Sequence, residues 1–129
     1  MLNNSEAVAT IGVKKIDNAR KFYEDVLGFE TVPGGQEHKD VAVYDSGGSK
    51  LFVYQSDFAG TNKATAATWV VDDVDDTVKK LKGRGVNFEH YDFPEAKLEG
   101  DVHVSGKMRA AWFKDPDGNI LAIVNNTDH

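Results

Sequence analysis

The sequence predicts an α+β domain built from two tandem βαβββ modules, and three observations carry that reading. The first is size: 129 residues is one domain's worth of chain, long enough to bury a core without a disulfide or metal staple. The second is an internal repeat. Sliding the chain by 58 positions lays Val13 over Val71, Ile16 over Val74, Asp17 over Asp75 and Lys21 over Lys79. The third is order. In each half a strand-like run precedes a helix that ends at glycine, and a short strand and a hairpin follow.

In the first module the opening strand runs from Val8 to Val13. A helix from about Asp17 to Leu27 places Ala19, Phe22, Tyr23, Val26 and Leu27 on one buried stripe. Asp17 is expected to accept from the free N–H groups of its first turn, and Gly28 to take the left-handed position after its end. A short strand, Phe29–Val32, precedes two more at Asp40–Tyr44 and Lys50–Gln55, joined through Ser46-Gly-Gly-Ser49.

The second module repeats this plan, with a strand at Ala66–Val71 and a helix from about Val74 to Lys82. Acids crowd the start of that helix (Asp72, Asp73, Asp75, Asp76) and bases its end (Lys79, Lys80, Lys82, Arg84), which complements the helix dipole. The acids read as capping groups, because the spacing and distal Glu of a calcium loop are absent. Strands at Val86–Glu89, Met108–Phe113 and Asn119–Val124 follow, the last two joined by Asp115-Pro-Asp-Gly118. The modules span about 8–60 and 66–126 of a single domain, with residues 91–107 inserted in the second.

Composition narrows the function classes. Fifteen Lys and Arg against 21 Asp and Glu leave a net charge of −6, the wrong sign for phosphate backbones or anionic lipid. Zero cysteines exclude thiolate chemistry and Cys-based metal sites. No apolar run is long enough for a membrane span, and the N-terminus lacks the basic start and apolar stretch of a secretory signal. The expected setting is the cytoplasm. Gly83-Arg-Gly85 follows a helix instead of opening one and lacks a third glycine, so it is no dinucleotide loop.

Two stretches carry a resemblance: Phe22-Tyr23-Glu-Asp-Val-Leu27-Gly28-Phe29 in the first module, and Phe113-Lys-Asp115-Pro116-Asp117-Gly118-Asn119 in the second. On tandem βαβββ modules they resemble the vicinal oxygen chelate superfamily, which holds glyoxalase I, bleomycin-resistance proteins and extradiol dioxygenases. The resemblance implies a curved mixed sheet around a cup, often completed by dimerisation, and in the enzymes a divalent metal held by His, Gln or Glu. The ligand positions that the resemblance implies fall here at Val8, at or next to Phe52, at Ala66 and at Ala122. None of these side chains has a lone pair to give a metal. The expectation is therefore no metal and no cofactor.

Strand alternation sorts the faces independently. Ile11, Val13, Leu51, Val53, Trp69, Val71, Leu121 and Ile123 form the bulky helix-packed side, where Trp69 reads as core. The cup side takes the smaller row that includes Thr10, Gly12, Phe52, Tyr54, Thr68 and Val70. Small apolar groups with a few aromatics and hydroxyls are what an organic ligand meets in a pocket; a dimer interface is the other use of such a row. The insertion reads as a flap over the cup mouth, or else as a dimer arm.

Ligand-binding candidates are Thr10, Phe52, Tyr54, Thr68, Tyr91 and Phe93, with no catalytic residue assigned. His38 reads as a solvated loop residue and His129 as terminal. His90, Asp101 and His103 are the one set from which a displaced metal site could be built. The leading expectation is a homodimer that binds a small organic molecule in a metal-free cup. The alternative is a lyase, isomerase or dioxygenase-related enzyme with a displaced metal site or metal-free acid–base catalysis.

Overall fold

The computed structural model describes residues 2–33 and 39–126; His38 and His129 lie outside the described residues. The first module runs β1 (Ala9–Val13), α1 (Ile16–Arg20), β2 (Glu30–Thr31), β3 (Val41–Ser46) and β4 (Ser49–Gln55). Its sheet has the order β1-β4-β3-β2, with β1 parallel to β4 and the remaining pairs antiparallel. Gly47 and Gly48 both take positive φ in the tight β3–β4 turn, the conformation that matches the twist of a two-residue hairpin.

The second module follows with β5 (Thr65–Val71), α2 (Val74–Gly83), β6 (Phe88–Glu89), β7 (Lys97–Glu99), β8 (Val102–Ser105), β9 (Met108–Lys114) and β10 (Ile120–Asn125). Its order, β5-β10-β9 with β5 parallel to β10, repeats the first module's β1-β4-β3. The two sheets meet where β1 lies against β5.

Residues 91–107 carry β7 and β8, a hairpin that extends the second sheet. The outer edge of β9 is shared: Phe88 and Glu89 of β6 pair with Phe113 and Trp112, while His103, Val104 and Ser105 of β8 pair with Ala110, Arg109 and Met108. Because β6 is only two residues long, half of that edge is left over, and the insertion satisfies its backbone groups.

The predicted alternation holds. Ile11, Val13, Leu51, Val53, Leu121 and Ile123 are buried in one cluster that spans both modules, with Trp69 packed against it. The two sequence motifs meet across the module boundary. The Tyr23 hydroxyl donates to Asp115 Oδ2 at 2.8 Å, and Asn119 Nδ2 donates both to that oxygen and to the Gly12 carbonyl. Asp115 Oδ1 accepts from the backbone N–H groups of Asp117 and Asn119. These motif residues hold the halves together.

The first helix departs from the sequence reading in two ways. Only Ile16–Arg20 is α-helical; Lys21–Val26 continues as a π-helical turn, with the Leu27 N–H reaching the Phe22 carbonyl. The wider turn brings consecutive Phe22 and Tyr23 toward the core together, Phe22 edge-on to Tyr23 and tilted on Phe113. Asp17 does not cap the helix. No side chain caps it from the preceding residue, and the Ile16 N–H instead donates to Gln55 Oε1 on β4. Gly28, at φ 80°, takes the left-handed position as expected. The second helix is capped as its acids implied, Asp73 Oδ1 accepting from the Asp76 N–H at 3.0 Å.

Candidate functional site

Both helices cover one side of the sheets, so the chemistry available to a ligand lies on the other. Register defines that side. In the first sheet Thr10 pairs with Phe52 and Phe52 with Val43, while Gly12 pairs with Tyr54 and Tyr54 with Val41. In the second, Thr68, Ala122, Trp112 and Glu89 form one cross-strand row, and Val70, Val124, Ala110, His103 and Leu98 the next. Large apolar groups remain open to solvent there: Phe52 is 38% exposed, Tyr54 41% and Val70 64%.

The candidate residues fall into three places. Thr10, Phe52 and Tyr54 share the helix-free face of the first sheet. Thr68 lies on β5 and lines a cavity of about 390 Å³ that opens beside Ala9, Ser46 and Trp69. Tyr91 and Phe93 approach each other to 6.1 Å between ring centroids, and both pack on Trp112, at 5.6 and 5.4 Å. Phe93 and Trp112 form a wall shared by two cavities. One, of about 440 Å³, is bordered by Lys63, Tyr91 and Asp92; the other, of about 310 Å³, is bordered by His103, Met108 and Ala110.

Sequence reasoning missed Trp112 and the part played by His103. Trp112 shares the face of Ala110 by simple alternation along β9, so the signal was present. Its indole N–H donates to Thr65 Oγ1 across a register shift at the Ile120–Leu121 step. His103 sits on a strand that reads as loop, and it is buried (4% exposed). Its Nε2 accepts from the Tyr91 N–H at 2.9 Å, while Nδ1 has no hydrogen-bond partner among the described residues. The Tyr91 hydroxyl is also buried, with no partner among the described residues. Burial first, then the nearby Glu89 carboxylate, pushes that phenol above its usual range.

His90, Asp101 and His103 do not converge. His90 Nε2 and Lys82 Nζ both meet Asp101, at 2.7 and 2.6 Å, and hold the start of β8 to the end of α2. The imidazole of His103 is instead turned into the aromatic cluster. Arg109 is engaged by Asp75 at 2.8 Å and Glu99 at 3.6 Å, so it serves the insertion and α2. Among the described residues, no three His, Cys, Asp or Glu side chains come together to hold a metal ion.

The superfamily's metal does not fit this chain. The positions that the resemblance gives to its ligands carry Val8, Phe52 or a neighbour, Ala66 and Ala122, all hydrocarbon side chains. Ala122 is buried between Thr68 and Trp112 in register, with no carboxylate to offer. Among the described residues, no helix is long and apolar enough to cross a membrane.

Comparison with known proteins agrees with this architecture. The chain is similar to a virulence protein of Salmonella typhimurium, at 26% identity, with 86% of this chain and 76% of that protein covered. Among solved structures it is similar to a glyoxalase/bleomycin resistance protein/dioxygenase from Alicyclobacillus acidocaldarius, with TM-score 0.69 and 22% identity over 97% of this chain and 93% of that one. It is also similar to the fosfomycin resistance protein FosX from Listeria monocytogenes, with TM-score 0.70 and 15% identity over 96% and 94%. The family model described as Glyoxalase/Bleomycin resistance protein/Dioxygenase superfamily matches residues 7–123. Paired βαβββ modules, locked by the two motifs and matched over nearly their whole length, make this chain a member of that superfamily.

Proposed function

We propose that this protein binds a small organic molecule on the helix-free face of its sheets, without a metal, as a cytoplasmic homodimer. The reading is carried by hydrocarbon side chains, Val8, Phe52, Ala66 and Ala122, at the positions where the resemblance expects metal ligands, on a face that leaves Phe52, Tyr54 and Val70 open to solvent. Thr10, Phe52, Tyr54, Thr68, Tyr91 and Phe93 are the contact residues of this reading. Aromatic rings supply area, and the two threonine hydroxyls supply orientation. Exposed Phe52, Tyr54 and Val70 support a second copy closing over the face.

The test is a thermal-shift screen of small organic molecules on the purified, tag-free protein, with and without added Ni²⁺, Zn²⁺, Mn²⁺ or Fe²⁺, beside a measurement of bound metal. A ligand at about one hundred times its Kd stabilises the fold by about 2.7 kcal/mol, which melting reads easily. The expected result is metal-independent stabilisation by a ligand, reduced at least tenfold in affinity by Phe52→Ala or Tyr54→Ala. Stoichiometric metal, or stabilisation that requires it, overturns the reading. Sedimentation decides the dimer.

A further inference from the structure

The repeat gives the molecule two module boundaries of the same kind, and their turns fill them differently. The 58-residue shift that lays Val13 over Val71 also lays Gly12 over Val70. The two keep one register, Gly12 beside Tyr54 on β4 and Val70 beside Val124 on β10. The turns correspond as well. Tyr44 pairs with Leu51, and Phe113 with Leu121. Two places nearer the turn stand Ser46 and Ser49 in the first module, and Asp115 and Asn119 in the second.

At the second turn the Asn119 carboxamide is buried, and its Nδ2 donates to the Gly12 carbonyl at 2.7 Å and to Asp115 Oδ2 at 2.8 Å. The Gly12 carbonyl faces this boundary because Val13, next along β1, turns its own carbonyl to the Ser56 N–H just past β4, and successive carbonyls of a strand alternate in direction. Val70 has the face and register of Gly12, which directs its carbonyl to the boundary in the same way. At the first turn the side chains are shorter. The Ser49 hydroxyl donates to Glu6, and Ser46 Oγ, in the place of Asp115, accepts from the Trp69 indole N–H at 3.0 Å. A cavity of about 390 Å³ lies there, with Ser46, Ser49, Leu51, Ala67, Trp69 and Val70 in its lining.

We infer that this cavity binds a flat primary carboxamide, whose N–H groups take the place of Asn119's between the Val70 carbonyl and Ser46 Oγ while its apolar body rests against Trp69. The chain itself is the model for the contact, since the same group on the corresponding pair of positions closes the other boundary. A carbonyl oxygen accepts only, and a serine oxygen with one lone pair given to Trp69 keeps a second, so both positions call for a donor. The volume lies at the small end of ligand pockets, and Leu51, Ala67 and Trp69 offer a ring apolar surface. The site goes beyond the reading above: of the contact residues proposed there, only Thr68 borders this cavity.

The experiment titrates benzamide and acetophenone into the full-length protein in neutral buffer. The two probes share a shape and a carbonyl, but only benzamide has N–H groups. Nitrogen-edited NMR follows the indole signals of Trp69 and Trp112. Benzamide is expected to shift the Trp69 signal and to bind about tenfold more tightly than acetophenone, the worth of one hydrogen bond. Ser49→Asn supplies a carboxamide from the chain, so it should raise the melting temperature by about 4 °C and weaken benzamide at least tenfold. If Ser49→Asn fails to fold, the probe pair on the unaltered protein decides alone. Equal affinities, no binding of benzamide, a response at Trp112 with Trp69 unmoved, or undiminished binding to folded Ser49→Asn overturns the inference. Amide signals of Phe52 and Tyr54, followed in the wider screen, report separately on the helix-free face.

Discussion

Tyr23 shows how much one residue of a motif can carry. It is fully buried, stacks beside Tyr44 at 6.3 Å between centroids, and sends its hydroxyl to Asp115 in the other module. Burial is the largest influence on its phenol, followed by the Asp115 charge; both push it well above its usual range. The sign follows from linkage. The unfolded chain ionises at the ordinary phenol value of about 10 while the folded one holds its proton, so Tyr23 contributes full stability below that value and loses it as pH rises beyond. Tyr23→Phe is expected to cost about 2 kcal/mol at neutral pH and to flatten the alkaline fall in urea-unfolding free energy. An unchanged alkaline profile would remove Tyr23 as its source.

At the scale of elements, the inserted hairpin depends on what anchors it. Asp101, at the start of β8, receives Lys82 from the end of α2 and His90 from the segment after β6. The hydrogen bond from Lys82, then that from His90, holds its carboxyl below the usual carboxylate range. A lowered acid contributes stability above the unfolded value and loses it as pH falls through the folded one. Asp101→Asn should therefore remove part of the acid sensitivity of melting. The loss at neutral pH should be on the order of 1 kcal/mol or less, because Lys82 and His90 are half exposed. Amide exchange in β7 and β8 should rise in the same variant, while β3 and β4 stay protected.

The same scale shows where the sequence was legible. Alternation recovers the buried sides of β1, β4, β5 and β10, because one face of each carries the bulky apolar residues that pack into the shared core. It fails for β7 and β8. Leu98, Val102, His103 and Val104 are too few and too mixed to show a period, and their pairing is dictated by the free half of the β9 edge. The π turn at Lys21–Val26 is equally silent in sequence, since helical spacing of apolar residues accommodates either geometry. Of the candidate contacts, Phe52 and Tyr54 were legible as a period-two row. His103 was not, because its surroundings come from rings on two other segments, residues 91–93 and β9.

For the whole molecule, the decisive joint is the module boundary. Gly60, in the connection between modules, has φ +72°, and a Cβ there would stand 1.9 Å from the Asp117 carbonyl oxygen in the Asp-Pro-Asp-Gly turn. Neither that conformation nor that contact admits a side chain. Gly60→Ala is expected to destabilise the chain by about 2–4 kcal/mol. Because one core spans both modules, it should lower a single cooperative transition instead of splitting it in two. Two resolved transitions by calorimetry would mean that the modules fold separately. The Lys14 N–H, bonded to Asp117 Oδ2, and the Arg84 guanidinium, bonded to the Val26 carbonyl, tie the same boundary from either side.

The sequence alone determined the repeat, the helix-packed face and the hydrocarbon side chains that stand where the resemblance expects metal ligands. Each of these follows from local spacing, period and residue chemistry, which a chain carries before it folds. Tertiary structure alone decided that Tyr23, Asp115 and Asn119 form one buried joint, that residues 91–107 complete the edge of β9, and that His103 stands among three aromatic rings. These depend on which distant segments become neighbours, and no local pattern encodes that. Burial then gives such neighbours their weight, because away from water a hydrogen bond such as that from Tyr23 to Asp115 is electrostatically stronger than at the surface.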